Sequence, residues 1–182
     1  YFAPDRLRDF DYRPMAAEAA RRSPSLRLTV ISGEPWPGQL ALADIAASRP
    51  VADAEIDGLA PPADDVALML LSGGTTGIPK LIPRTHNDYV YNCRQCGRIA
   101  GFSPETVFLA MLPMSHNYTL GCPGVLGALA AGGTAIIAPD VSAETIFPLI
   151  ARERVTVMSA AMPLAVNWLA GDAPERHDLS SL

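Results

Sequence analysis

The chain has 182 residues, 49% of them hydrophobic and 18% charged, with a formal net charge of −5. That composition builds a sizeable core and excludes a disordered chain, and an acidic balance without a basic stripe argues against a nucleic-acid partner. No apolar run reaches membrane-span length, no signal peptide is visible, and three cysteines make no disulfide scaffold, so the expectation is a soluble cytoplasmic protein.

In chain order, Pro14 suits a first helical turn and opens a helix through Met15–Arg22. Leu26–Ile31 reads as a strand, broken by Gly33–Gly38, and Leu40–Ala47 as a short helix. Arg49–Asp65, with three prolines and many acids, reads as a connecting loop. Val66–Leu71 is a continuous apolar run, the pattern of a strand buried on both faces. A Ser/Gly/Thr loop follows, then an extended Leu81-Ile82. Thr85 can cap a helix reaching about Ala100.

Val107–Met111 and Thr134–Ala138 are strands around a helix at Pro123–Ala131. Ser142 caps a helix reaching Arg152, which Pro148 fits poorly. Val155–Met158 is a strand and Pro163–Ala170 a helix. The alternation predicts an α/β fold, a largely parallel sheet with helices on both faces. Residues 1–63 form a looser leading segment and 64–182 the informative one. The chain starts at Tyr1 and stops at the apolar Leu182, so it is expected to be part of something longer.

The loop Ser72-Gly73-Gly74-Thr75-Thr76-Gly77-Ile78-Pro79-Lys80 concentrates chemistry. Its glycines let backbone N–H groups turn outward, its three hydroxyls add donors, and Lys80 adds a cation, a set that suits a polyphosphate. It is not a Walker A loop, because Ile78-Pro79 separates Gly77 from Lys80 and no helix follows directly. A hairpin connection rich in turn residues uses the same composition. Further on, His116-Asn117 sits just beyond a buried strand, where open α/β sheets bind ligands. An imidazole can hydrogen-bond a carboxylate, and an amide can donate to a carboxylate or phenol oxygen. Tyr118 can supply an aromatic wall. Cys93-Arg94-Gln95-Cys96 falls mid-helix with Tyr89 and Ala100 on the same face, which favours core packing over redox or zinc chemistry. No metal site is expected.

Ser72–Lys80 resembles the phosphate loop of the adenylate-forming superfamily. Lys80–Tyr89 and Leu112–Gly124 extend the likeness to stand-alone aryl-acid adenylating enzymes of siderophore biosynthesis, the 2,3-dihydroxybenzoate–AMP and salicylate–AMP ligases. The resemblance implies an N-terminal adenylation-domain segment lacking its C-terminal domain. It implies ATP with Mg²⁺, an aryl acid, and an aryl carrier protein bearing phosphopantetheine. Ser72, Gly73, Gly74, Thr75, Thr76, Gly77 and Lys80 would hold the ATP phosphates. His116 would lie by the reacting carboxylate, and His116, Asn117, Tyr118 and Cys122 would contact the acid. Cys122, where dihydroxybenzoate enzymes tend to carry Ser, tilts the acid toward salicylate. In the family the adenine, ribose and catalytic-lysine sites follow beyond Leu182, so the 182-residue chain alone is expected to be inactive, and its cut faces favour a dimer. A ligase for another acid (hydroxypicolinate, anthranilate, acyl-CoA type) and a non-enzymatic nucleotide-binding module are the alternatives.

Overall fold

A computed structural model describes residues 1–48, 50–73 and 77–182. It divides into two compact units, Tyr1–Ala60 and Pro61–Leu182. The first unit is a small parallel sheet in the order β1 (Phe2–Pro4), β4 (Val30–Ser32), β5 (Leu40–Ala41). A hairpin, β2 (Arg6–Leu7) with β3 (Phe10–Asp11), leads into α1 (Arg13–Arg22), with Pro14 in its first turn as expected. Arg13 ties this region together. Its guanidinium makes two hydrogen bonds to the Asp11 carboxylate, at 2.9 and 2.7 Å, and lies 5.6 Å from the Trp36 ring centroid. The strand expected over Leu26–Ile31 is confined to Val30–Ser32. The helix expected from Leu40 begins after β5, as α2 (Leu42–Ala46). A short helix, α3 (Asp53–Asp57), interrupts the segment read as loop, with Asp53 and Glu55 in its first turn where the helix dipole favours acids.

The second unit opens with an antiparallel pair, β6 (Val66–Leu71) and β7 (Leu81–Thr85). The helix α4 (His86–Ile99) follows directly, and the Thr85 hydroxyl accepts from the Asp88 N–H at 3.2 Å, the predicted N-cap. A three-stranded parallel sheet then forms in the order β10 (Val157–Met158), β8 (Val107–Ala110), β9 (Thr134–Ile137). The helices α5 (Asn117–Gly121), α6 (Gly124–Ala130), α7 (Ala143–Glu153) and α8 (Met162–Leu169) complete the unit, with a final 3-10 turn at Ala173–Arg176.

Strand β8 shows why the sheet is buried. Its period-2 alternation sends Phe108 and Ala110 against Val125 and Ala128 of α6. Leu109 goes to the other face, into a cluster with Met111, Ile146, Phe147, Leu149, Ile150, Val155 and Trp168. The α7 helix runs through Pro148, forgoing one backbone bond, because Ile146, Phe147, Leu149 and Ile150 are all buried around it. Ser142 occupies the N-cap of α7, but its hydroxyl donates to the Asp140 carboxylate at 2.7 Å rather than capping a backbone N–H.

One expectation is overturned. β6 is not buried on both faces: Val66, Met69 and Leu71 are 50%, 54% and 69% exposed. Among the described residues β6 pairs with β7 alone, so a continuous apolar run here marks a two-stranded ribbon rather than a central strand.

Two stability predictions follow from this packing. Ile146, fully buried, should lose about 2–5 kcal/mol on Ile146→Ala in urea unfolding. Ile99→Ala, at an 84% exposed position, should stay within about 0.5 kcal/mol. The Arg13 guanidinium lowers the Asp11 carboxyl from 3.8 to about 2. A depressed folded pKa stabilises above the ordinary value and is lost on acidification. Unfolding midpoints should therefore fall between about pH 4 and pH 2, less steeply in Asp11→Asn and at high salt.

Candidate functional site

The Gly-rich loop is the turn of the β6–β7 ribbon. Leu71 sits opposite Leu81, and two further bonds close the neck beyond them. The Ser72 N–H donates to the Lys80 carbonyl, and the Lys80 N–H donates to the Ser72 hydroxyl, both at 2.9 Å. The Ser72 hydroxyl thus accepts across the neck, and among the described residues its own proton has no acceptor. Gly77 has φ +88°, a conformation that excludes most side chains at little cost only for glycine. No described atom lies within 4 Å of where a Cβ on Gly73 would sit, so its backbone is open to approach. The expectation that this loop joins extended strands, with no helix behind it, holds. Gly74, Thr75 and Thr76 lie outside the described residues.

At the C-terminal end of β8 the chain leaves the sheet through Met111–Ser115 and enters α5. His116 is its N-cap, and its Nδ1 accepts from the Tyr118 N–H at 3.2 Å. A neutral imidazole that accepts at Nδ1 carries its proton on Nε2, so His116 presents a donor outward.

α5 is only five residues long, and α4 grips it at both ends. The buried Tyr89 hydroxyl donates to Asn117 Oδ1 at 2.7 Å, and Asn92 Nδ2 donates to the Gly121 carbonyl at 2.7 Å. Gly121 is required here, since a Cβ would come within 2.7 Å of the Tyr89 hydroxyl oxygen. Arg84 lies 5.4 Å from the Tyr89 ring centroid and is paired with Asp88. That pairing holds the Asp88 carboxyl below its usual range, while burial pushes the Tyr89 phenol up.

These two regions share one cavity of about 840 Å³, within the range of small-molecule sites. Ser72 and Gly73 line one side, His116, Asn117 and Tyr118 another, and Met69, Leu70, Ile82, Leu112 and Pro113 supply apolar wall. Five of the predicted site residues therefore meet. Gly77, Lys80 and Cys122 are not among the residues lining the cavity.

Cys122 turns instead toward α4, with its Sγ 3.6 Å from Cys96 Sγ. The C-x-x-C pair behaves as expected at Cys93, which is buried; burial also pushes both the Cys93 and Cys96 thiols up. The Cys96–Cys122 approach and the Tyr89–Asn117 bond were both invisible to local pattern, since each joins residues more than 25 positions apart. Among the described residues no cluster of three or more His, Cys, Asp or Glu could hold a metal, and no helix is long and apolar enough to cross a membrane.

The family model for AMP-binding enzymes matches residues 9–182. The 2,3-dihydroxybenzoate-AMP ligase of Bacillus subtilis is 43% identical over all of this chain, which covers 32% of that protein. The salicyl-AMP ligase / salicyl-S-ArCP synthetase of Mycobacterium tuberculosis is 45% identical over 87% of the chain and 27% of its own length. Among solved structures, apo MbtA of Mycobacterium smegmatis superposes with a TM-score of 0.76 at 39% identity, over 87% of this chain and 29% of that one. The chain thus spans about a third of the length of the curated relatives it matches.

The thiol geometry makes a prediction of its own. A trivalent arsenical that bridges two thiols should bind one equivalent per chain through Cys96 and Cys122. Cys122→Ser should abolish that binding while Cys93→Ser leaves it, as read by mass spectrometry.

Proposed function

Because the chain belongs to the AMP-binding enzyme family, we propose that it forms the phosphate-loop and acid-orienting part of an aryl-acid–AMP ligase. The observation that supports this reading is the one cavity lined both by Ser72 and Gly73 of the Gly-rich loop and by His116, Asn117 and Tyr118. In the reaction, the aryl carboxylate oxygen attacks the α-phosphorus of ATP, an aryl-AMP forms, and pyrophosphate leaves. Transfer to the phosphopantetheine thiol of an aryl carrier protein follows.

Positioning and charge neutralisation are what the protein contributes to such a step. Ser72, Gly73, Gly74, Thr75, Thr76, Gly77 and Lys80 hold the β- and γ-phosphates. The His116 imidazole donates toward the acid carboxylate, and the Asn117 amide and Tyr118 ring orient the aryl group. Mg²⁺ is assigned to the nucleotide it accompanies, since this cation is held chiefly by phosphates and water. A cytoplasmic setting belongs to the same reading. Cys122 turns toward Cys96 and is not among the residues lining the cavity, so the acid is assigned to the aryl class, salicylate or 2,3-dihydroxybenzoate.

The test is ATP–pyrophosphate exchange by the full-length protein carrying this segment, with salicylate and 2,3-dihydroxybenzoate in parallel. Exchange stimulated by salicylate or by 2,3-dihydroxybenzoate is expected. Lys80→Ala should reduce kcat by roughly a hundredfold, the scale of losing one preorganised charge partner. Exchange indifferent to every aryl acid offered would overturn the assignment.

A further inference from the structure

We propose that Tyr89 is a positioning residue that fixes which end of the Asn117 amide faces the acid, so that the site selects acids with an acceptor oxygen ortho to the carboxylate. The inference rests on the aryl-acid reading above and concerns how that site discriminates.

The geometry carries it. The Tyr89 oxygen and Asn117 Oδ1 are 2.7 Å apart, and Tyr89 is 5% exposed. Among the described residues the hydroxyl has no other hydrogen-bond partner. If the amide were reversed, its NH₂ would donate to the phenol oxygen and the phenol proton would be left unpaired in a buried site, which is costly. The amide oxygen is therefore held on Tyr89, and the two Nδ2 protons remain for the cavity that Asn117 lines.

The surroundings leave the hydroxyl little freedom. Gly121 packs against it, and Arg84 stands over the ring. Burial pushes the phenol up, so the group stays a protonated donor at neutral pH.

A donor at this position favours an ortho hydroxyl or a carboxylate oxygen, both of which accept. It disfavours an ortho amino group, whose protons would meet the Nδ2 protons and whose ring-conjugated lone pair accepts poorly. With the Tyr89 hydroxyl removed, the amide is free to turn its oxygen toward such a group.

The experiment compares wild type, Tyr89→Phe, Asn117→Ala and the double variant in the full-length protein, using exchange with salicylate and with anthranilate (2-aminobenzoate). Tyr89→Phe should raise KM for salicylate roughly tenfold, the factor one net hydrogen bond commands. KM for ATP should not move, and the salicylate-to-anthranilate ratio of kcat/KM should fall by a similar factor. In the Asn117→Ala background, Tyr89→Phe should add nothing. An unchanged ratio, or equal effects of Tyr89→Phe with and without Asn117, would reduce Tyr89 to packing and overturn the proposal.

A high-resolution crystal structure gives a readout independent of activity. If no aryl acid supports exchange but Tyr89 Oη stays within hydrogen-bond distance of Asn117 Oδ1, the functional reading fails and the amide clamp stands. Separation of the two atoms overturns the clamp whatever the activity.

Discussion

Burial of β8 on both faces is the constraint on which the second unit depends. Phe108 and Ala110 point one way and Leu109 the other, so one strand of four residues joins two apolar clusters. Parallel strands with helices on each side require such a strand, because neither face can be left to water. The consequence for chemistry is positional. A strand locked on both faces delivers the chain beyond Ala110 to a defined point, and Leu112, Pro113, Ser115, His116, Asn117 and Tyr118 line the cavity from there. The loop is placed because its strand cannot slip: a shift of one residue would exchange Leu109 with its neighbours and empty both clusters.

The short helix that follows has a different problem. Five residues make too few hydrogen bonds to hold a helix in water, and α5 carries Asn117 and Tyr118. The α4 helix supplies the missing restraint through Tyr89 at the start of α5 and Asn92 at its end. Those two side chains are three residues apart, on one side of α4. The same face includes Cys93 and Cys96, so the helix surface that reads as core packing also orients the cavity wall. The Ser72–Lys80 neck plays the corresponding part on the other side of the cavity, where one backbone bond and one bond to the Ser72 hydroxyl hold the base of the Gly-rich loop.

Much of this was legible in the chain. The helices at Thr85–Ala100, Pro123–Ala131 and Pro163–Ala170 announced themselves through caps, prolines and apolar spacing, and the structure places them within two residues. The Gly-rich loop was legible from its residue types alone. β6 was misread because an apolar hexamer reports hydrophobicity, not neighbours, and the number of strands flanking it is a property of the fold. Ser142 was misread in detail because Asp140, two residues earlier, competes for its hydroxyl.

By itself, then, the sequence determined the order of elements, the parallel α/β class and the identity of the loop and His-Asn residues that meet at the cavity. These follow from local periodicity and backbone preference, which neighbouring residues encode. Tertiary structure alone decided that Tyr89 bonds Asn117, that Cys122 faces Cys96, and that the cavity lies between a ribbon turn and the C-terminal end of β8. Each of those pairings joins residues far apart in the chain, and only the packing of α4 against α5 and α6 brings them within bonding distance.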